Sequence, residues 1–550
     1  MTGAHSPRSF TATRRSILKI TGAGLGAAAI GWPSRSMTSA QTATAALGGE
    51  VTMLIRQPVT LNPFFSTSGN EQQIERIVFG SLVKSSDTLQ PTPDLSETID
   101  AAPDGLQYTF TLHEGLVFND GEPLTSRDVA FTFEKAVTPE IGSVWQGRLL
   151  AITGAAEYAD GSADAISGLE TPDDRTVVVN LAAPDATFLL TLADYSGLAI
   201  LPEHALIDTP DDQWANITFL QPPFVSGGAY NLVTAEQDQF IELVRSDTYA
   251  VRTPILDRIL LAVRTPDVAL GEIQTGTIDI IPLPVDEVET IEQLPDVSVV
   301  SVQSPSMTHI VVNNLRPFLA DKRIRQAMMY AIDRASILEN ILGGNGEITN
   351  SPIFGPEWMG VPEGLNEYPY DPEKAKSLLT EMGWDPNQVI VALAVPPVES
   401  WVEIIAQQLN DAGIKFELLQ TDIAELIDKI TGPEPDFDTF INGGDTYRAD
   451  PNVAALFYAS SQASPAGSNY SYYANAELDE LFVQGRSTND LEARKAIYTE
   501  AAKILNEDVP NLYLWSPNSF FAVNNRVQGF MGPGYVDNRL WNADEWSVTS

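Results

Sequence analysis

Hydrophobic positions follow two rhythms along the chain, and the change falls near residue 300. Val51–Arg56 (VTMLIR) predicts a first strand ending at the Leu61-Asn62-Pro63 turn. Glu71–Val83 places Ile74, Ile77, Val78 and Leu82 on one helical face. Leu106–Val117 alternates around Gly115 and predicts strands of a small sheet. Thr125-Ser126-Arg127-Asp128 is an acid variant of a capping box, opening a helix with Val129, Phe133, Ala136 and Val137 inward. Asp174–Leu181, Tyr230–Thr234, Phe240–Arg245 and Ile259–Val263 add further strands, so this part is β-rich.

Beyond residue 300 the period lengthens. Ala320–Leu342 predicts one long helix with Ile324, Ala327, Met328, Ala331, Ile332 and Leu338 buried. Asp371-Pro372 starts another, and Gly383 ends it. Val389–Val395, Glu399–Ala412 and Ile414–Leu419 form a strand–helix–strand unit, which predicts parallel pairing with a right-handed crossover. Phe437–Ile441 supplies another strand; Ala476–Gly485 and Asp490–Asn506 read as helices. Asn511–Trp515 and Phe520–Val523 return to strand.

Composition narrows the function. The 550 residues carry 32 Lys+Arg against 73 Asp+Glu, a net charge of −41, which disfavours nucleic acid and anionic membrane surfaces as partners. With no cysteine there is no disulfide, thiol catalysis or lipid-modified cysteine anchor. The charge is unevenly placed. Residues 1–49 contain no acid but include Arg8, Arg14, Arg15, Lys19 and Arg35. Thr13–Lys19 (TRRSILK) is a twin-arginine export motif with Ile where Phe is commonest, followed by the weakly apolar Ile20–Trp32. Small-residue sites at Thr38-Ser39-Ala40 and Ala43-Thr44-Ala45 place cleavage near residue 45. Gly22–Ala27 (GAGLGA) mimics a dinucleotide fingerprint, but no strand precedes it.

The motifs of common enzyme chemistry are missing: there is no G-x-S-x-G elbow, HExxH, P-loop or EF-hand loop. His113 falls in a turn and reads as a surface histidine. No cofactor is expected.

Several stretches, in order, resemble one family. They are Asp104–Ala136 (DGLQYTFTLHEGLVFNDGEPLTSRDVAFTFEKA), Phe224–Val233 (FVSGGAYNLV), Arg316–Leu338, Tyr370–Trp384 (YDPEKAKSLLTEMGW) and Gly443–Asn452 (GGDTYRADPN). Together they resemble the family 5 extracellular solute-binding proteins, the oligopeptide, dipeptide and nickel receptors of ABC importers. The resemblance implies an α/β, two-lobed, hinge-closing (type II) periplasmic-binding-protein fold with an extra β-rich subdomain. Its expected parts are a signal peptide at 1–45, a discontinuous lobe I at 46–75, 196–298 and 516–550, the subdomain at 76–195, and lobe II at 299–515. Implied partners are a small-molecule or peptide ligand and the importer's permease subunits, met by a monomer outside the cytoplasmic membrane.

In this family an aspartate of the ligand loop pairs with the peptide's α-ammonium. Asp445 is the closest match and Asp450 the competitor, because the loop is longer than in dipeptide receptors and Asn442-Gly443 replaces the usual tryptophan. As alternatives, Asp445 suits an Asx turn and Asp450 an N-cap. Tyr447 in the same loop, Asn442, and Trp401 at a helix entrance complete the candidate ligand-binding set. Asn62 and Tyr230 read as structural. An oligopeptide is the leading ligand; an oligosaccharide or chelated metal, or a secreted carboxylate-pair hydrolase, are the alternatives.

Overall fold

The computed structural model describes residues 47–193, 197–432, 434–446, 449–533 and 538–549, with backbone alone for 443–446. The export segment at 1–45 and Tyr447 therefore lie outside the described residues. Among the described residues, no helix is long and apolar enough to cross a membrane.

Twelve strands form one large sheet: β1 (Glu50–Ile55), β2 (Tyr230–Glu236), β3 (Phe240–Arg245), β4 (Arg258–Val263), β5 (Ile280–Leu283), β6 (Val297–Gln303), β7 (Ser306–Val312), β8 (Gly346–Ile348), β9 (Val389–Ala394), β10 (Lys415–Gln420), β11 (Thr439–Thr446) and β12 (Asn511–Asn524). Their order is β10-β9-β11-β7-β12-β5-β1-β4-β3-β2, with β6 and β8 also paired to β12. A separate antiparallel sheet takes Ser96–Ala101, Gln107–Leu112, Thr176–Asn180 and Leu169–Asp173. Alternation explains its packing. Tyr108, Phe110 and Leu112 point inward with Val177 and Val179, under the helix Ser126–Val137.

Strand β12 joins the two largest cores, and its Phe520 and Ala522 also enter a third. Its first half contributes Leu512, Leu514 and Trp515 to a core with Met307, Ile310, Met328, Ile405 and Tyr498. Phe521 and Val523 of its second half pack with Val51, Met53, Phe110, Leu243 and Leu261. The pairing registers show the switch directly. Val297–Gln303 of β6 opposes Asn524–Asn518, whereas β7 opposes Trp515–Asn511. The chain thus passes between the lobes twice, side by side, at 303–306 and 516–518. Two features expected as separate strands, Asn511–Trp515 and Phe520–Val523, are one strand. Pro517 sits at the change of partners, where its carbonyl accepts the Ser304 N–H at 2.9 Å.

The local signals account for most elements. Thr125 and Asp128 form the reciprocal capping box. Asp371 caps Pro372–Met382, and Gly383 closes that helix at φ 66°. The strand–helix–strand unit β9, Ser400–Asp411 and β10 pairs in parallel. Two further readings need correction. The expected helix at 320–342 is two helices, Lys322–Ala331 and Arg334–Asn340, because Ile332 is extended and the Asp333 carboxylate caps a new start by accepting the Ser336 N–H. The strands expected across 106–117 reduce to one, Gln107–Leu112, followed by a turn at 114–115 and a single bridge between Val117 and Pro123.

Candidate binding face between the lobes

Strand direction decides what faces the crossings. On one side β11 ends at Thr446, opposite Ser306, the first residue of β7. β9 runs parallel to β11 and β10 parallel to β9, so all three finish at the crossing edge. On the other side Leu283, the end of β5, opposes Phe520, the β12 residue of that pair nearest the crossing. β1 is parallel to both β5 and β4. The carboxyl ends of six strands therefore converge on the face between the lobes, where open α/β sheets bind ligands. After β9 and β10 an open trough of about 690 Å³ lies between Val395, Pro396, Gln420, Thr421, Asp422 and Ile423.

The candidates fall unevenly on this face. Backbone pairing places Asp445 opposite Met307, one residue from the crossing, and Asn442 opposite the buried His309. Asn442 itself is half-buried. Trp401 does begin the helix after β9, but its indole is buried, crosses Trp515 edge-on at 5.1 Å, and donates to the Glu399 carboxylate.

Asp450 is the most constrained of the set. It caps the turn Pro451–Val453, accepting the Asn452 N–H at 2.8 Å. Both its oxygens also accept from Arg494, each at 2.9 Å, with the two side chains 4% exposed. Bidentate geometry of this kind is what makes a buried ion pair tolerable. Burial alone would lower the Arg494 pKa, but the Asp450 charge overrides it and holds the guanidinium above its usual range. Asn62 and Tyr230 prove internal: the Asn62 amide donates to the Trp214 and Ile217 carbonyls, and the Tyr230 hydroxyl to the Ala543 carbonyl.

Arg494 is the residue that pattern reading passed over. It shares a helical face with Tyr498, Ala501, Ala502 and Leu505, all buried on Leu491–Asp508. A guanidinium inside an apolar stripe signals a buried partner.

Residues 90–465 match the family model for bacterial extracellular solute-binding proteins, family 5 Middle. The chain belongs to that family. It is 26% identical over 523 residues to the oligopeptide-binding protein AppA of Bacillus subtilis, covering 91% of each chain. It is 28% identical over 492 residues to the probable D,D-dipeptide-binding periplasmic protein DdpA of Escherichia coli, covering 86% of this chain and 89% of that one. Among solved structures, B. subtilis AppA in complex with a nonapeptide has a TM-score of 0.75 at 25% identity, covering 92% of this chain and 100% of that one. CtaP from Listeria monocytogenes has a TM-score of 0.80 at 23% identity, covering 92% and 100%, and supports the fold alone. The family 5 chain described here thus has the two-lobed α/β fold of these receptors.

Proposed function

We propose that this family 5 protein captures an oligopeptide between its lobes, outside the cytoplasmic membrane, and delivers it as a monomer to the permease of an ABC importer. The observation that carries the reading is the convergence of six strand ends beside a two-strand crossing, with Asp445 one residue from that crossing. Relatives named for oligopeptide and D,D-dipeptide binding support the substrate class. Paired main-chain crossings suit hinge closure, since small torsion changes there swing whole lobes. Asp445 is the counter-charge for the peptide ammonium. Asp450, whose charge Arg494 already meets, shapes the loop instead. Arg14 and Arg15 direct the folded chain to the twin-arginine route, so replacing both with lysine abolishes export; undiminished export would refute that route.

The test of the substrate class is mass spectrometry of solute released by denaturing the purified protein. Peptides are expected. Recovery of sugars or a metal chelate, or turnover of added peptide or glycoside, would overturn the reading. With a recovered peptide, Asp445→Asn weakens affinity about tenfold or more, the scale of a charge-assisted bond; unchanged affinity removes Asp445 from the role.

A further inference from the structure

Away from the crossings, a group of polar contacts joins the lobes. The Arg486 guanidinium donates to Asp185 at 2.6 Å, and the Ala186 N–H donates to the Arg486 carbonyl at 2.8 Å. Beside them, the Gln90 amide donates to the Ala449 carbonyl at 3.0 Å. On the first lobe this surface is prepared in advance. Asp185 accepts the N–H and hydroxyl of Thr187 at 2.9 and 2.7 Å, and its carbonyl accepts the Tyr108 hydroxyl at 3.0 Å.

On the second lobe one side chain organises both contact points. Arg494 grips Asp450 with its two terminal nitrogens, and its Nε donates to the Gly485 carbonyl at 2.9 Å. Ala449 and Arg486, which meet the first lobe, are the immediate chain neighbours of Asp450 and Gly485. The spacing is tight, since a Cβ on Gly485 would come within 2.4 Å of the Tyr498 ring.

We propose that Asp185 and Arg486, with Arg494 as the positioning residue, form a closing latch that sets solute affinity without touching solute. The inference rests on the solute-capture reading. A bond made only in the closed state adds its free energy to the capture of any solute that closes the lobes. The chemistry suits repeated opening. Asp185 keeps its Thr187 partners in its own lobe, while the half-exposed Arg486 returns to water. Burial works to raise the Asp185 pKa, but Arg486 and Thr187 overcome it and hold the group below the usual carboxylate range.

Small-angle scattering of the solute-free protein tests the latch. The solute-free wild type is expected to divide about equally between closed and open forms, so a shift in the ratio moves the mean radius. Arg486→Ala lowers its closed-to-open ratio about tenfold, the scale of one charge-assisted hydrogen bond, and raises the radius of gyration. Arg486→Lys recovers part of the loss, and Gln90→Ala shifts the radius in the same direction by less. An unchanged radius in Arg486→Ala with native circular dichroism overturns the proposal. Should that variant fail to fold, an unchanged radius in Gln90→Ala does so. Because no solute is present, this outcome is independent of which solute mass spectrometry recovers.

Discussion

Among the described residues, the lobes meet in two places that are built differently. At the crossings the contacts run through main chain and small side chains: Ser304 N–H to Pro517 carbonyl, and Ser516 hydroxyl to Ser304 carbonyl at 2.8 Å, with Ser516 fully buried. Gly346 lies against this joint, and a Cβ there would come within 2.6 Å of the Ser516 carbonyl. At the far contact the bonds run largely through long side chains, and Arg486 stays half-exposed. Buried backbone bonds have no water to replace them and must persist through any motion. Solvent-accessible side-chain bonds can be exchanged for water at little cost. A receptor that opens and closes needs one contact of each kind.

The largest expected effect separates the latch's support from the latch itself. Asp450→Ala leaves the Arg494 charge buried without its partner, so it costs about 3–5 kcal/mol of global stability in chemical denaturation. A cost below about 1 kcal/mol would show that the pair is not the keystone of the second lobe's contact surface. Next in size is the joint. Ser516→Val removes the donor to the Ser304 carbonyl and costs about 1–3 kcal/mol in the same measurement. A neutral result would put the joint's persistence on the strand pairing alone.

The sequence already carried much of this architecture, where local chemistry decides. Asp371, Pro372 and Gly383 mark a helix whatever surrounds it, and Thr125 with Asp128 marks another. The parallel β9–β10 pair followed from a connection long enough to hold a helix. What escaped were features settled by distant partners. Nothing near Pro517 shows that one strand continues through it while exchanging β7 for β6. Asp333 looks like one more polar residue in a helical run until its carboxylate caps the turn. At the site, the loop was located but its two aspartates were not separable. The structural engagement of Asp450 depends on Arg494, 44 residues away, whose only local sign was a cation in an apolar stripe.

A third prediction sharpens what the latch carboxylate owes to its partners. Glu75, on the helix Gly69–Phe79, is as buried as Asp185, yet among the described residues neither of its oxygens has a well-aligned hydrogen-bond donor. Burial pushes its pKa well above 4.5; the nearby Ser66 hydroxyl opposes the shift, and the Glu71 charge adds a smaller push upward. With the folded-state pKa above the unfolded one, this group's contribution to stability is complete below the unfolded pKa. It is lost as pH rises through the folded value. Glu75→Gln therefore leaves the melting temperature unchanged near pH 4 and raises it at pH 8, by roughly 1 °C per kcal/mol relieved for a chain of this size. An equal effect at both pH values would mean that ionisation is not the cause.

The smallest expected effect is the most informative about the comparison. Arg486→Ala should change the free energy of global unfolding by less than about 0.5 kcal/mol, as for other solvent-accessible ion pairs. The reason is specific to a contact between moving parts. A lobe that loses the Arg486 bond can open and hydrate Asp185, which keeps its Thr187 partners, so no charge is left stranded. Asp450 has no such escape, because it and Arg494 belong to one lobe, so parting the lobes does not part the pair, and removing Asp450 strands the Arg494 charge. If Arg486→Ala instead destabilises the fold as much as Asp450→Ala, the far contact is as permanent as the joint. The lobes would then share one cooperative unit, and the division between persistent and exchangeable contacts would fail.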